Sequence, residues 1–290
     1  MYKCILCNYE GNMLKKSEVD NRNIFECPNC KLQFMYPQTS DEELNKIYSN
    51  NQYPTCSFDN GIDENNTTNM KRQTFNRILK KLLPYCNKGN ILDIGCSTGI
   101  LLEEAKKLGF EPYGLEISEY ASNIAKKRIG EDRIYNGTLD TYQLDKKFDV
   151  ITMIDVIEHF RNPIEILKIA KEILNFNLGG GYILITTPNT NSLTNKIIKN
   201  KWPHYNAEHL YYFNLKSMEK LSNITGFKIL YSSRLTKNMN FKYMYYQFKE
   251  HNNTFFKLIN IFDKIPIINN MSLNISTGDS IFILREDRNV

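Results

Sequence analysis

Short apolar runs alternate with amphipathic stretches along the middle of the chain. The apolar runs predict strands at NILDIG, EPYGLEI, RIYNG, FDVITMID and GYILITTP. Helical patterns lie between them, at LLEEAKKLG, YASNIAKKRIG and PIEILKIAKEIL. Strands that alternate with helices of about ten residues form βαβ units. We therefore predict a doubly wound α/β fold around a mostly parallel sheet.

The flanking segments complete this sheet and predict the domain organisation. Two later strand patterns, GFKILYSS and GDSIFILRED, bring the predicted sheet to seven strands. The stretch at 51–70 is polar and Asn-rich and predicts a loop, with a helix from about residue 70. We expect an N-terminal ribbon at 1–45, a helical linker or lid at 46–75, and a core at 76–290 with a cap segment (190–215) and a Tyr- and Phe-rich helical insertion (236–270).

Two helix starts carry capping signatures. Ser40 and Glu43 have the spacing of a capping box. Asn162 precedes Pro163, which is the favoured order at the first helical position. We therefore expect helices to begin at these two places.

Composition limits the class of protein. The 290 residues include 37 basic and 32 acidic side chains, a net charge of +5, with no long run of one sign. A non-specific nucleic-acid binder usually has a denser basic patch. No apolar run approaches the roughly 18–20 residues that cross a bilayer, and the first residues lack a secretory signal pattern. We expect a cytoplasmic protein without a membrane span.

Four of the seven cysteines form two C-x-x-C pairs near the N-terminus. CILC and CPNC are separated by 19 residues, which is a zinc-site spacing. Each pair offers two thiolates to one tetrahedral ion, and four thiolates leave no open position, which is typical of structural zinc. The predicted ligands are Cys4, Cys7, Cys27 and Cys30. The remaining Cys56, Cys86 and Cys96 have no partner spacing and are interpreted as buried or incidental thiols.

The turn in ILDIGCSTG predicts a ligand site at the end of the first core strand. Gly95 allows a tight turn and Gly99 allows the next helix to pack closely, although an ordinary βα loop could carry the same glycines. Asp93 lies in an apolar strand, and Glu116 ends the second strand, where an acid can accept both ribose hydroxyls. Ser97 departs from a dinucleotide fingerprint, and a P-loop is absent. These features predict a nucleoside-bearing ligand.

The ordered motifs ILDIGCSTG, YGLEIS, FDVITMIDVIEHF and LGGGYILITTPN resemble class I S-adenosylmethionine-dependent methyltransferases over about residues 88–230. The resemblance implies a Rossmann-like fold that binds S-adenosyl-L-methionine. It implies that the methionine end lies over the turn, the ribose on Glu116, and the adenine near the ends of the second and third strands. The implied cofactor-binding residues are Asp93, Gly95, Cys96, Ser97, Gly99, Glu116, Ile117, Thr138, Leu139 and Ile154.

Methyl transfer to a hydroxyl needs a base, and histidines supply the candidates. His159 follows the fourth strand, and His209 lies in the aromatic segment after the fifth, so both are predicted catalytic residues. The MIDVIEHF stretch also resembles the D/E-x-x-E-H segment of ubiquinone-type O-methyltransferases. That resemblance implies a divalent cation, best suited to magnesium, at Asp155, Glu158, His159 and Asn189. A metal-free site, in which Glu158 and His159 only begin a helix, is the slightly favoured alternative.

The N-terminal segment resembles the zinc ribbon of methyltransferases that modify sugars and other small metabolites. We therefore expect O-methylation of a small hydroxylated acceptor such as a sugar or nucleotide-linked sugar, with N- or C-methylation open. One alternative is a zinc-ribbon RNA methyltransferase, which the mixed charge of the ribbon disfavours. Another is a non-catalytic zinc-ribbon binding protein with a degenerate core. The oligomeric state and pathway are not predicted.

Overall fold

A computed structural model describes the chain over residues 2–48, 64–142, 146–177, 180–240 and 272–287. In chain order the helices and strands are β1 (Tyr2–Lys3), β2 (Glu10–Gly11), β3 (Leu14–Val19), β4 (Arg22–Glu26), β5 (Gln33–Tyr36), α1 (Asp41–Tyr48), α2 (Glu64–Leu82), β6 (Asn90–Ile94), α3 (Ile100–Lys107), β7 (Glu111–Glu116), α4 (Glu119–Ile129), β8 (Ile134–Asn136), β9 (Val150–Ile154), α5 (Pro163–Ile173), β10 (Tyr182–Pro188), α6 (Leu193–Ile198), β11 (Tyr211–Tyr212), α7 (Leu215–Ile224), β12 (Phe227–Arg234), β13 (Lys237–Asn240), β14 (Ser272–Ile275) and β15 (Asp279–Glu286).

The core is a seven-stranded sheet in the order β12-β15-β10-β9-β6-β7-β8. The five strands β6 to β10 are parallel to one another, and β15 runs antiparallel between β10 and β12. Two hydrophobic clusters pack on this sheet, one around Ile94 and Leu115 and the other around Ile91 and Leu102. The predicted doubly wound, Rossmann-like α/β fold is confirmed.

The order of the sheet determines where a ligand can bind. From β6 the chain moves outward through β7 and β8, then returns to the other side of β6 for β9 and β10. In open α/β sheets the binding crevice lies at such a switch point, beyond the carboxyl ends of the strands. Here that place is where β6 and β9 end.

The N-terminal ribbon is built into the core through a shared sheet. Strands β3, β4 and β5 form an antiparallel sheet, and β11 of the core adds a fourth strand, with Tyr211 opposite Phe34. Trp202 and Tyr212 are buried against Ile24 and Met35 of the ribbon. The ribbon therefore packs directly on the cap segment.

Local predictions are mostly confirmed. Ser40 Oγ accepts from the amide of Glu43, whose carboxylate accepts from the amide of Ser40, which completes the capping box. Asn162 caps α5 with Pro163 in its first turn. Cys86 and Cys96 are buried free thiols, as predicted, and Cys56 lies outside the described residues.

Two predicted boundaries are wrong. Helix α2 begins at Glu64, inside the stretch predicted as a loop, and the side chains of Thr67 and Met70 in its first two turns are buried. The segment 236–270 begins as strand β13 rather than as a helix, since Lys237–Asn240 pairs with β14. The rest of that predicted insertion lies outside the described residues. Among the described helices, none is both long and apolar enough to span a bilayer.

Candidate functional site

The turn between β6 and α3 requires its two glycines. Gly95 and Gly99 have φ of 75° and 77°, in the left-handed region that favours glycine. A Cβ at Gly95 would come 2.7 Å from Cγ2 of Val156, and one at Gly99 would come 3.2 Å from Cβ of Ala125. The turn therefore lies directly against the side chain of Val156, which follows β9.

Glu116 ends β7 beside this turn and is 9% exposed. Its carboxylate accepts from the backbone amides of Ser97, at 2.7 Å, and Ser118, at 2.8 Å. Burial raises the pKa of Glu116, and these amide bonds oppose the shift. Because each carboxylate oxygen has two lone pairs, Glu116 can still accept from two hydroxyls. This arrangement fits a ribose.

Asp93 is buried in β6, where its Oδ1 accepts from the hydroxyl of Thr152 at 2.6 Å. Burial raises the pKa of Asp93 to about 7, and nearby Glu116 adds to the shift. Cys96 is buried beside both acids, and burial raises the pKa of its thiol. Asp93 therefore sits under the turn as a carboxyl group with a perturbed pKa, which is typical of functional sites.

The other predicted cofactor-binding residues lie at carboxyl ends of neighbouring strands. Ile117 follows β7 and is 51% exposed, which leaves an apolar surface beside Glu116. Thr138 and buried Leu139 follow β8, and half-buried Ile154 ends β9. These positions face the same edge of the sheet, and their contact with a cofactor stays a prediction.

The two predicted catalytic histidines lie together. His159 ends the turn Ile157–His159 after β9, and its ring centroid is 4.7 Å from that of His209. Nδ1 of His209 donates to the carbonyl of His204 at 2.8 Å, which leaves Nε2 as the nitrogen with a lone pair. Burial lowers the pKa of His159 to about 4 and also lowers the pKa of His209. Both rings are therefore neutral near pH 7.

Glu158 joins these histidines in a group that could hold a cation. Its side chain is fully buried, and neither of its carboxylate oxygens has a hydrogen-bond partner among the described residues. Burial, with Asp155 nearby, raises the pKa of Glu158. One ligand atom each of Glu158, His159 and His209 lies within 4.8 Å of the others. Two neutral imidazoles and a carboxylate without a hydrogen-bond partner fit a divalent metal.

This group differs from the ligand set that the D/E-x-x-E-H resemblance implies. The carboxylate of Asp155 accepts instead from the hydroxyl of Thr186, at 2.7 Å, and from Lys237, at 2.8 Å. The amide of Asn189 donates to Ser280 Oγ at 2.8 Å. The third residue of the group around Glu158 and His159 is His209, and Asp155 is not part of that group.

Sequence reasoning missed a second charged group at the same edge. Nζ of Lys237 lies 2.8 Å from Oδ2 of Asp155 and 3.1 Å from Oδ2 of Asp279, and Nε2 of His204 lies 3.5 Å from Oδ1 of Asp279. Burial disfavours the charged ammonium, but the two carboxylates outweigh it and raise the pKa of Lys237. Lys237 lay in a predicted insertion and carried no motif, so no sequence signal identified it.

The four cysteine sulfurs of the ribbon converge. The Sγ atoms of Cys4 and Cys30 are 3.4 Å apart, and those of Cys7 and Cys27 are 3.5 Å apart. All four sulfurs lie within 4.8 Å of one another. A zinc ion with Zn–S bonds of about 2.3 Å separates tetrahedral thiolates by about 3.8 Å, so these residues fit zinc.

Curated proteins resemble part of this chain. The mitochondrial ubiquinone biosynthesis O-methyltransferase of Schizosaccharomyces pombe is 38% identical over 84 residues, which cover 27% of this chain and 31% of that protein. The ubiquinone biosynthesis O-methyltransferase of Acinetobacter baylyi is 24% identical over 108 residues, or 35% of this chain and 44% of that protein. The chain thus matches less than half the length of either relative.

Solved structures share the fold at low identity. Magnesium protoporphyrin IX methyltransferase from Synechocystis PCC 6803, solved with bound S-adenosylhomocysteine, has a TM-score of 0.54 and 13% identity, covering 85% of this chain and 100% of that one. A methyltransferase from Archaeoglobus fulgidus has a TM-score of 0.51 and 19% identity, and the match covers 74% of this chain and 94% of that one. A family model described as a methyltransferase domain matches residues 67–232, which is more than half of the chain. The chain therefore belongs to the methyltransferase domain family.

Proposed function

We propose that this chain is an S-adenosylmethionine-dependent methyltransferase that methylates a hydroxyl group of a small acceptor, such as a sugar or nucleotide-linked sugar. The arrangement of Glu116 carries the cofactor part of the proposal. Its buried carboxylate ends β7 beside the glycine turn, with exposed Ile117 next to it. A ribose and an adenine are the groups that a carboxylate and an apolar surface in this position accept.

The chain's own residues supply binding, orientation and proton removal. The cofactor, when bound, supplies an electrophilic methyl group on sulfur. The turn and Glu116 position the donor, and the neutral ring of His159 or His209 accepts the proton of the attacking hydroxyl. The hydrogen bond from His209 to the carbonyl of His204 fixes that ring with its lone pair on Nε2. This fixed orientation supports His209, rather than His159, as the base.

Oxygen is the proposed accepting atom for two reasons. Both relatives above are named as O-methyltransferases. A buried neutral imidazole also suits a hydroxyl, whose proton must leave as the new bond forms. The sugar part of the proposal rests on the ribbon resemblance alone.

A divalent cation at Glu158, His159 and His209 is a second way to activate the hydroxyl. The observation that favours it is the buried Glu158 carboxylate, which has no hydrogen-bond partner among the described residues. A cation there would lower the pKa of a bound hydroxyl. Methyl transfer that EDTA abolishes and a divalent metal restores would support this form over the metal-free base.

RNA as the acceptor is less well supported, because the ribbon lysines are paired with acids. Lys15 contacts Glu18 at 2.7 Å, and Lys16 and Lys31 both lie within 4 Å of Glu26. Such pairing reduces the positive field that a nucleic-acid surface requires.

A cytoplasmic location also stays a prediction.

The proposed function is tested first by calorimetric titration of the zinc-loaded protein with S-adenosylhomocysteine. We expect micromolar binding that Glu116→Ala abolishes and that Glu119→Ala, an exposed acid three residues away, preserves. A folded wild-type protein that does not bind would refute the cofactor assignment.

The acceptor is tested separately with labelled S-adenosylmethionine and three classes of substrate: nucleotide sugars, catechols and short RNA. Transfer to nucleotide sugars alone is the expected result. Transfer to catechols alone would refute the sugar acceptor while keeping O-methylation, and transfer to RNA would refute both.

A further inference from the structure

Two carboxylates and one ammonium meet in the group formed by Asp155, Lys237 and Asp279, here called the ion cluster. The Asp279 side chain is fully buried, and its Oδ1 lacks a hydrogen-bond partner. Asp155 has φ of 53°, a left-handed conformation that is strained for a residue other than glycine. Buried charge and backbone strain together are costly and commonly mark a binding site.

The ion cluster lies beside the glycine turn, on the side away from Glu116. In the parallel register Ile94 pairs with Leu115 on one side and with Met153 on the other. Glu116 and Ile154 therefore flank Gly95 on neighbouring strands, and Asp155 comes one residue further. Two strand spacings place Glu116 and Asp155 about 10 Å apart across the end of β6.

A ligand whose ribose lies on Glu116 and whose chain crosses the turn would reach Asp155. In S-adenosylmethionine that chain runs from the ribose through sulfur to an α-amino acid. The amino acid carries an ammonium and a carboxylate on one carbon. The ion cluster presents the complementary pair, a carboxylate from Asp155 and an ammonium from Lys237, 2.8 Å apart.

The ion cluster also has unused hydrogen-bonding capacity. The ammonium of Lys237 has three N–H donors, and Asp155 and Asp279 are its two partners among the described residues. Its side chain keeps 25% exposure, and that of Asp155 keeps 35%. One lysine and two aspartates leave one net negative charge, which favours a ligand that carries an additional positive charge, as a sulfonium does.

We propose that Lys237 and Asp155 bind the amino-acid end of the cofactor, with Lys237 donating to its carboxylate and Asp155 accepting from its ammonium. Asp279 is a positioning residue that holds Lys237 from the opposite side. This inference rests on the proposed cofactor. It adds Lys237, which lies 121 residues beyond Glu116 in the chain, to the residues that select the ligand.

The test compares two ligands that differ only in the amino-acid end. S-adenosylhomocysteine carries that end, and 5′-deoxy-5′-methylthioadenosine keeps the adenosine and the sulfur but lacks it. Both are titrated calorimetrically into the full-length, zinc-loaded wild type, Lys237→Met and Asp155→Asn. Lys220→Met, an exposed lysine on α7, is the matched control. Thermal unfolding of each variant establishes that it is folded.

We expect Lys237→Met and Asp155→Asn each to weaken S-adenosylhomocysteine binding by about tenfold or more, since each removes a charge-assisted hydrogen bond. Binding of methylthioadenosine should change less than about twofold in the same variants, and Lys220→Met should change neither ligand. Unchanged S-adenosylhomocysteine binding in Lys237→Met would overturn the inference while leaving the proposed function intact. Equal losses for both ligands would overturn it as well, because the effect would not depend on the amino-acid end.

Discussion

The buried carboxyl group of Asp93 should make the stability of this protein fall as pH rises. Asp93 is 3% exposed, and burial raises its pKa from 3.8 to about 7 in the folded protein. In the unfolded chain its pKa is close to the ordinary 3.9. The folded state therefore holds this proton up to higher pH, so the cost of ionising Asp93 begins near pH 4 and is complete above pH 7.

The size of this effect follows from the shift in pKa. About three pKa units at about 1.4 kcal/mol each give a cost of about 4 kcal/mol at pH 8. At pH 5 the same group destabilises the folded state by only about 1.5 kcal/mol, because most of the range between its unfolded and folded pKa values lies above pH 5. Asp93→Asn removes the titration, so the free energy of unfolding of the variant, relative to wild type, should rise by about 2.5 kcal/mol between pH 5 and pH 8.

Urea denaturation of wild type and variant at four pH values measures this difference. Effects of pH on the zinc ribbon are shared by the two proteins and cancel in the comparison. Asp140→Asn, at an exposed aspartate, is the matched control for replacing a carboxylate by an amide. A pH-independent difference for Asp93→Asn would refute the reasoning, since Asp93 would then titrate alike in the folded and unfolded states.

Three further predictions concern the turn, the cap and the ribbon. Gly99→Ala should lower the free energy of unfolding by about 1–2 kcal/mol in urea denaturation and weaken S-adenosylhomocysteine binding, because φ is 77° at this residue. An unchanged free energy of unfolding would contradict this prediction, since the turn would then accept alanine without strain. His209→Gln should lower kcat about 10² to 10⁴-fold with cofactor affinity unchanged, whereas a lost affinity alone would exclude a role as the base. Zinc removal should speed amide hydrogen exchange at Tyr211 and Tyr212, which pair with the ribbon, but not in β9; equal protection with and without zinc would contradict structural coupling through β11.

Local chemistry made several elements predictable from the sequence. The capping box at Ser40 and the Asn162–Pro163 start of α5 depend on residues within one turn of each other, and both form as predicted. The start of α2 was missed because its Asn- and Thr-rich first turns have low helix propensity. Tertiary packing overrides that propensity: Oγ1 of Thr74 accepts from the backbone amide of Asn238, and Met70 is buried beside β13.

The sequence by itself determined the doubly wound core, the glycine turn with its two acids, and the four converging cysteines. Each of these depends on hydrophobic period, backbone freedom or ligand spacing, which are properties of neighbouring residues. Only the tertiary structure decided that His209 lies on His159 and that Lys237 lies between Asp155 and Asp279. These residues are far apart in the chain, and strand order brings them to one edge of the sheet. Their meeting follows from the topology, because no local pattern encodes contacts between distant segments.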